Sequence, residues 1–263
     1  MDVIIVEDAA AVAERAAAQI AARIAAKPNA VLGVATGSSP VGTYEALAAR
    51  VRDGRLDCSA VSAFALDEYA GLPLTHPEAY HEVIRRTVTE PLGLDPARVN
   101  VPDGSASDLA AAGEDYERRI AAAGGVDLQL LGIGANGHIG FNEPCSSFAS
   151  RTRMKTLAPQ TREDNARFFA SLDDVPLHCI TQGLGTILDA RELLLVAQGE
   201  GKAEAVAAMI EGPVASICPA SALQLHARAT VIIDRAAASR LRLVDYYEHV
   251  QRHQPANRIP AEV

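Results

Sequence analysis

Residues 126–144 read V-D-L-Q-L-L-G-I-G-A-N-G-H-I-G-F-N-E-P, an apolar run that passes directly into a glycine-rich loop. The run over 126–132 has the length and composition of a strand buried on both faces, as in a parallel sheet. The glycines that follow permit backbone conformations closed to residues with a Cβ. The stretch therefore predicts a core strand that leads into a rigid, ligand-contacting loop carrying Asn136, His138 and Glu143.

Outward from this loop, short β-branched or aliphatic runs alternate with longer helical patterns. The strand candidates are Val3–Val6, Val31–Ala35, Ser62–Leu66, Val126–Gly132, Glu192–Ala197 and Ala229–Ile233. Helical patterns cover Ala9–Lys27, the region from about Pro40 to Val51, and 107–123. This alternation predicts an α/β fold with a doubly wound, mostly parallel sheet flanked by helices. We expect a single domain over 1–263, with the polar, weakly periodic segment around 146–176 as a lid-like insertion.

Composition restricts the function to small-molecule chemistry. The 263 residues include 24 Lys and Arg against 33 Asp and Glu, a net charge of −9, which disfavours nucleic acid as a partner. With 49% hydrophobic and 22% charged residues the chain is expected to be globular. We see no apolar run long enough to cross a membrane and no signal peptide, and the four cysteines are widely spaced. These features predict a cytoplasmic protein with reduced thiols, no metal site and no membrane partner.

The turn after the second predicted strand is a candidate phosphate site. Residues 31–40 read V-L-G-V-A-T-G-S-S-P, and the polar donors that follow the strand are Thr36, Gly37, Ser38 and Ser39. We expect Ser39 to cap a helix and Pro40 to occupy its first position, which would leave free backbone amides facing an anion. The turn lacks the Walker and dinucleotide-binding patterns. An ordinary capped turn stays open as an alternative.

A second segment, A-F-A-L-D-E-Y over 63–69, places two acids at the carboxyl end of a strand. Ligands of such sheets bind at that edge. Adjacent side chains of an extended chain point in opposite directions, so we expect one of Asp67 and Glu68 to face a site and the other to make a structural hydrogen bond. A solvated acidic turn stays open as the alternative.

His138 and Glu143 complete the candidate chemistry. Histidine transfers protons near neutral pH, and a carboxylate beside it could orient the ring. The chain contains no G-x-S-x-G nucleophile elbow and no H-E-x-x-H metal motif. The residues by themselves therefore indicate cofactor-free and metal-free proton transfer on a sugar phosphate.

Four segments resemble the glucosamine-6-phosphate deaminases, members of the glucosamine/galactosamine-6-phosphate isomerase family, in the order of that family. They are L-D-E-Y-A-G-L-P, G-I-G-A-N-G-H-I-G-F-N-E-P, S-R-T-R-M-K-T-L and N-A-R-F-F. The resemblance extends from the first strand to near Tyr247. The related 6-phosphogluconolactonases carry G-x-D-G-H-T at the loop, whereas Ile139 follows His138 here, which favours the deaminase side.

The resemblance implies conversion of glucosamine 6-phosphate and water to fructose 6-phosphate and ammonia. Asp67 would remove the C2 proton and return it at C1, His138 would move protons during ring opening, and Glu143 would orient it. The residues that would bind the substrate phosphate are Thr36, Gly37, Ser38, Ser39, Arg167 and Lys202. No cofactor is implied. Because Arg167 lies in the predicted insertion, phosphate binding could close that segment over the site.

The chain departs from the enteric type of the family at Asn136, where that type has Asp. Asn cannot carry a proton or a charge, so we expect altered pH dependence with retained activity. Ser146, Arg153 and Lys155 resemble the site at which some members bind N-acetylglucosamine 6-phosphate as an activator, which implies a homo-oligomer. A solvent-exposed basic stretch is the alternative interpretation of these residues.

Two other functions stay open at this point. A 6-phosphogluconolactonase-like hydrolase would share the fold and the loop histidine, but lactone hydrolysis needs no base for a carbon-bound proton, so Asp67 argues against it. A non-catalytic sugar-phosphate sensor would normally carry a DNA-binding segment, and the net charge of −9 argues against that class.

Overall fold

The computed structural model describes residues 1–253, and ten strands occur in that range. They are β1 (Asp2–Val6), β2 (Val31–Val34), β3 (Ser62–Ala65), β4 (Asp67–Tyr69), β5 (Val99–Asn100), β6 (Leu128–Leu131), β7 (Arg153–Thr156), β8 (His178–Thr181), β9 (Leu193–Ala197) and β10 (Ala229–Asp234). Seven of these strands form a sheet in the order β1-β10-β9-β6-β2-β3-β5, and all its neighbouring pairs are parallel. The predicted doubly wound parallel sheet is confirmed, because helices cover both of its faces.

The helices within the described residues form two layers. They are α1 (Ala9–Ala26), α2 (Ser38–Arg52), α3 (Tyr80–Ile84), α4 (Glu90–Leu92), α5 (Leu109–Ala122), α6 (Pro159–Asn165), α7 (Leu184–Leu188), α8 (Ala203–Glu211) and α9 (Val244–His253). Helix α1 buries Val12, Ile20 and Ile24 against one face of the sheet. Helices α5, α7 and α8 pack on the other face, where Tyr116 and Ile187 join a second apolar core. Aliphatic side chains supply most of both cores.

The direction of winding changes between β2 and β6. From β2 the chain continues to β3 and β5 on one side, and it then returns to β6, β9 and β10 on the other side. Loops that leave two neighbouring parallel strands in opposite directions open a crevice between them. The turn at 36–40 and the glycine-rich loop at 132–143 leave the carboxyl ends of β2 and β6, so the topology places both at this crevice.

The fold contains a second, smaller sheet that the sequence did not predict. It is antiparallel, with the order β4-β8-β7. These strands are three or four residues long, and polar residues such as Arg153 and Lys155 interrupt their apolar pattern. The chain leaves the large sheet at Ala65 and enters the small one at Asp67, with Leu66 between them. The small sheet therefore holds the position at which a catalytic acid is expected.

Two predicted boundaries need correction or restriction. The insertion predicted around 146–176 is narrower, because β7 pairs with β8 and belongs to the small sheet; the connection between these strands spans 157–177 and includes α6. The six predicted core strands are confirmed within one or two residues at each end. The single domain predicted over 1–263 includes 254–263, which lie outside the described residues. No helix within 1–253 is long and apolar enough to span a bilayer.

Candidate active site

A cleft with a volume of about 140 Å³ lies at the carboxyl edge of the large sheet. The predicted site residues that line it are Thr36, Gly37, Ser38, Ser39, Asp67, His138, Arg167 and Lys202. They come from the segments after β2, β3, β6 and β9 and from the connection at 157–177. Parallel strands thus bring together side chains that are far apart in sequence.

The turn after β2 is built to face an anion, although its cap differs from the expected one. Helix α2 begins at Ser38 and not at Pro40, and Gly37 stands at the N-cap with φ of 97° and no side-chain cap. The prediction that Ser39 caps the helix is therefore wrong. Glycine adopts this φ without strain, so the helix starts earlier and its first amides remain free of a side-chain partner. Free amides at the start of a helix of this length bind phosphate well.

Two cationic side chains reach the cleft from different segments. Lys202 follows β9, and Arg167 lies in the connection at 157–177 with its guanidinium 4.7 Å from the Phe168 ring centre. Burial lowers the pKa of Lys202, Asp164 opposes this shift, and Arg167 adds to it. Two cations and a helix N-terminus around one cleft make a site for a dianion.

Asp67 is the buried acid of the cleft. It is the first residue of β4 and is 4% exposed. Burial, and then the charge of neighbouring Glu68, raise its pKa from 3.8 to about 8, and the backbone amide of Phe141 opposes this. A Cβ at Gly140, whose φ is 52°, would lie 3.3 Å from Asp67 Oδ2. The raised pKa makes Asp67 a stronger base once it is ionised.

Glu68 points away from the cleft, as expected for the second acid of an extended pair. Its carboxylate accepts the backbone amides of Tyr69, Tyr80 and His81, each at 2.8 Å. Two of these amides belong to the start of α3. Glu68 thus attaches α3 to the strand that carries Asp67, and the expectation of a structural hydrogen bond is confirmed.

His138, Glu143 and Asn136 form a connected group behind the cleft. His138 Nδ1 lies 3.7 Å from Glu143 Oε2, and the same oxygen accepts a 2.8 Å hydrogen bond from Asn136 Nδ2. Burial raises the pKa of Glu143, but the His138 ring and several hydrogen bonds outweigh this effect and lower the pKa to about 2. One of these hydrogen bonds is donated by the Ala158 amide to Glu143 Oε1 at 3.0 Å. Glu143 is thus an anion beside the ring.

The role of Asn136 becomes visible in this arrangement. Its Oδ1 accepts the His138 backbone amide at 3.1 Å, while its Nδ2 holds Glu143. Asn136 therefore contacts the His138 main chain and not its ring. A Cβ at Gly134 would lie 2.2 Å from His138 Cε1, so the ring needs a glycine beneath it.

The three residues of the predicted activator site lie behind this loop, outside the cleft. Ser146 is buried and donates to the Glu143 carbonyl at 2.6 Å. Arg153 Nη1, on β7, donates to Asn142 Oδ1 at 2.7 Å. Lys155 is partly exposed on the same strand.

Sequence reasoning missed several residues that line the cleft, among them Tyr80, Thr161 and Asp164. The Tyr80 ring packs 4.9 Å from Tyr69 and 5.7 Å from Phe141. No local pattern marks Tyr80, because Glu68 brings it to the cleft through backbone hydrogen bonds. Among residues 1–253 no group of three or more His, Cys, Asp or Glu side chains could hold a metal ion.

Comparisons with known proteins agree with this geometry. Residues 6–232 match the model of the glucosamine-6-phosphate isomerases/6-phosphogluconolactonase family. Glucosamine-6-phosphate deaminase of Streptomyces coelicolor is 59% identical over 256 residues, covering 97% of this chain and 98% of the relative. The enzyme of the same name from Bifidobacterium longum is 58% identical over 266 residues, again covering 97% and 98%.

Solved structures place the fold in the same group. A monomeric glucosamine-6-phosphate deaminase superposes with a TM-score of 0.89 at 44% identity, covering 91% of this chain and all of that one. The 6-phosphogluconolactonase of Trypanosoma cruzi shares the fold at a TM-score of 0.72 and 19% identity, covering 92% and 97%. By fold, cleft and sequence, the chain belongs to the family of glucosamine-6-phosphate isomerases and 6-phosphogluconolactonases.

Proposed function

We propose that this chain is an enzyme that converts glucosamine 6-phosphate and water to fructose 6-phosphate and ammonia. The observation that carries the proposal is the buried Asp67 in a cleft that also holds His138 and a phosphate-type site. The relatives named glucosamine-6-phosphate deaminase, identical at 58–59% of positions over nearly the whole chain, support it.

The substrate phosphate would bind at the start of α2, with Lys202 and Arg167 on either side. It lies far from the bonds that change, so its binding energy serves to place C1 and C2 of the sugar. Arg167 belongs to the connection at 157–177, so phosphate binding would also bring this segment over the cleft and exclude water.

His138 would open the pyranose ring. It takes the proton from the O1 hydroxyl and a proton returns to the ring oxygen, which yields the open-chain aldehyde. The ionised Glu143 stabilises the imidazolium that forms in between and fixes the orientation of the ring. Asn136 holds both the carboxylate and the His138 backbone in place.

Asp67 would then move the hydrogen that changes carbon atoms. It removes the proton from C2 while O1 of the aldehyde takes a proton from water, which gives an enolamine with a C1 hydroxyl, and it then returns its proton at C1. The imine that remains at C2 is hydrolysed by water, releasing ammonia and leaving the ketone. One carboxylate can serve both carbons because they are neighbours on one flat face of the enolamine.

The experiment is ammonia release from glucosamine 6-phosphate by the parent chain and by Asp67→Asn. The parent should release ammonia, and the variant should lose activity by a factor of at least about 10² because the base is gone. Turnover of 6-phosphogluconolactone is measured beside it. A parent that hydrolyses the lactone and leaves the amino sugar intact would establish the lactonase alternative, and phosphate-sugar binding without any turnover would establish the sensor.

Activation by N-acetylglucosamine 6-phosphate and self-association belong to the same proposal, as does a cytoplasmic location. The contact from Arg153 to Asn142 supports a route for activation, because Asn142 lies in the loop that carries His138. Velocity curves measured with and without the acetylated sugar, and the mass in solution by light scattering, test both points. Hyperbolic velocity curves that the acetylated sugar does not change would contradict activation, and the mass of a monomer would contradict self-association. The similar solved deaminase is itself a monomeric enzyme.

A further inference from the structure

Asp234 is a buried acid at the carboxyl end of β10, outside the cleft. It is 7% exposed, and both of its carboxylate oxygens lie 3.0 Å from the backbone amide of Gly199. Oδ1 also accepts the amide of Ala237 at 2.7 Å. A buried carboxylate that accepts hydrogen bonds from backbone amides holds the donating segments of the chain in place.

Gly199 begins the turn that carries Lys202. It has φ of 86°, and its carbonyl accepts the Lys202 amide at 3.1 Å across the short helical turn over Glu200–Lys202. The residue before it, Gln198, reaches the other phosphate element, since its Nε2 lies 3.4 Å from the Ser39 carbonyl. The start of the turn is therefore attached both to β10, through Gly199, and to the start of α2, through Gln198.

We propose that Asp234 is a positioning residue of the phosphate site, which fixes the Gly199 turn and thereby the place of the Lys202 ammonium. This inference rests on the proposed function, because it concerns the substrate phosphate. Asp234 would act through the main chain. The neighbouring charges that influence Lys202 are those of Asp164 and Arg167, which line the cleft with it.

The test begins with Asp234→Asn. Asn keeps one acceptor oxygen, and because both oxygen positions lie 3.0 Å from the Gly199 amide, the NH2 group of Asn faces this donor in either orientation and weakens the attachment of the turn. We expect KM for glucosamine 6-phosphate and the inhibition constant of inorganic phosphate to rise together by about three- to tenfold, since small displacements of a positioning group are costly. The value of kcat should stay within about twofold, because Asp67 and His138 are untouched.

A matched control separates positioning from stability. Asp127 is also a buried acid that accepts a backbone amide, that of Val31 at 2.8 Å, but it lies at the amino end of β6, away from the cleft. Asp127→Asn should lower the melting temperature and leave KM and the phosphate inhibition constant unchanged. Equal rises of KM in both variants would overturn the proposal.

A second variant perturbs the turn without touching the acid. A Cβ at Gly199 meets no atom within 4 Å, so Gly199→Ala acts only through the unfavourable positive φ. It should reproduce the selective rise of KM even where Asp234→Asn does not fold. Gly54, with φ of 69° and equally open surroundings, supplies the control Gly54→Ala. A Gly199→Ala variant with the KM of the parent would overturn the proposal.

Inorganic phosphate alone distinguishes a failure of this inference from a failure of the proposed function. A parent chain without deaminase activity would contradict the function, and the phosphate Kd from calorimetry would still report on the site. A Kd that rises in Asp234→Asn and Gly199→Ala but not in their controls supports the positioning role. A Kd unchanged in all four variants refutes it whatever the reaction is.

Discussion

Asp67→Asn should stabilise the folded chain at alkaline pH while it removes activity. Burial raises the pKa of Asp67 from 3.8 to about 8, so the folded state disfavours the ionised form that the unfolded state accepts. The unfolded chain loses this proton near pH 4 and the folded chain near pH 8. Between the two values the free energy of unfolding falls as the pH rises, and above pH 8 the loss is complete.

The size of the effect follows from the same two pKa values. Each pKa unit corresponds to 1.36 kcal/mol, so the interval from 3.8 to about 8 costs the folded state on the order of 5 kcal/mol at pH 9. Asn has the same shape and no charge, and it avoids this cost. The stability gained by Asp67→Asn over the parent should therefore be near zero at pH 4 and grow to several kcal/mol at pH 9.

Urea unfolding at intervals from pH 4 to pH 9 measures the difference. Asp127→Asn is the control of opposite sign: burial raises the pKa of Asp127, but the hydrogen bonds from Lys27 and the Val31 amide outweigh it and lower the pKa. Relative to the parent, this variant should be less stable by an amount that develops as the pH rises toward about 5 and then stays constant up to pH 9. A difference between Asp67→Asn and the parent that is independent of pH, or that favours the parent at pH 9, would refute the reasoning.

Three further predictions concern the reaction. The acid limb of kcat/KM should lie near pH 8 in the parent, where Asp67 ionises. Glu68→Gln should move this limb to lower pH because a negative charge beside Asp67 is removed, and a limb that stays in place in this variant contradicts the assignment. Asn136→Asp places a second carboxylate beside Glu143, so turnover should persist but its pH profile should shift. A pH profile identical to that of the parent would contradict this prediction. Arg167→Gln should raise KM at least about fivefold with little change in kcat, and steady-state kinetics that show the reverse would remove Arg167 from the phosphate site.

The sequence predicted the large sheet because its strands are apolar runs bounded by turns. The rule that ligands bind at the carboxyl edge then predicted Asp67 and His138 at one cleft, whereas Lys202 was predicted only from the family resemblance. The local signal was strongest at 126–144, where a buried strand meets four glycines. A Cβ at Gly134 would collide with the His138 ring, and a Cβ at Gly140 would crowd the Asp67 carboxylate.

Two of the features that were not predicted depend on contacts between distant segments. Strand β4 is three residues long, and it exists because it pairs with β8, far along the chain. Tyr80 lines the cleft because the Glu68 carboxylate accepts its amide. The cap at Ser39 failed because a positive φ at Gly37 allows the helix to start two residues earlier. Pattern and propensity describe neighbours in sequence; the first two cases are decided elsewhere in the chain, and the third by the backbone conformation of one nearby glycine.

The small sheet makes the length of the connection at 157–177 independent of the position of Asp67. Thr156 pairs with His178, so the connection at 157–177 leaves the sheet and returns at one pair of facing residues. Residues added to or removed from this excursion do not alter the register of β7 against β8, and loop closure depends only weakly on length. Asp67, on the neighbouring strand β4, keeps its place. The fold can thus exchange the segment that carries Arg167 while the buried carboxylate of the cleft keeps its position.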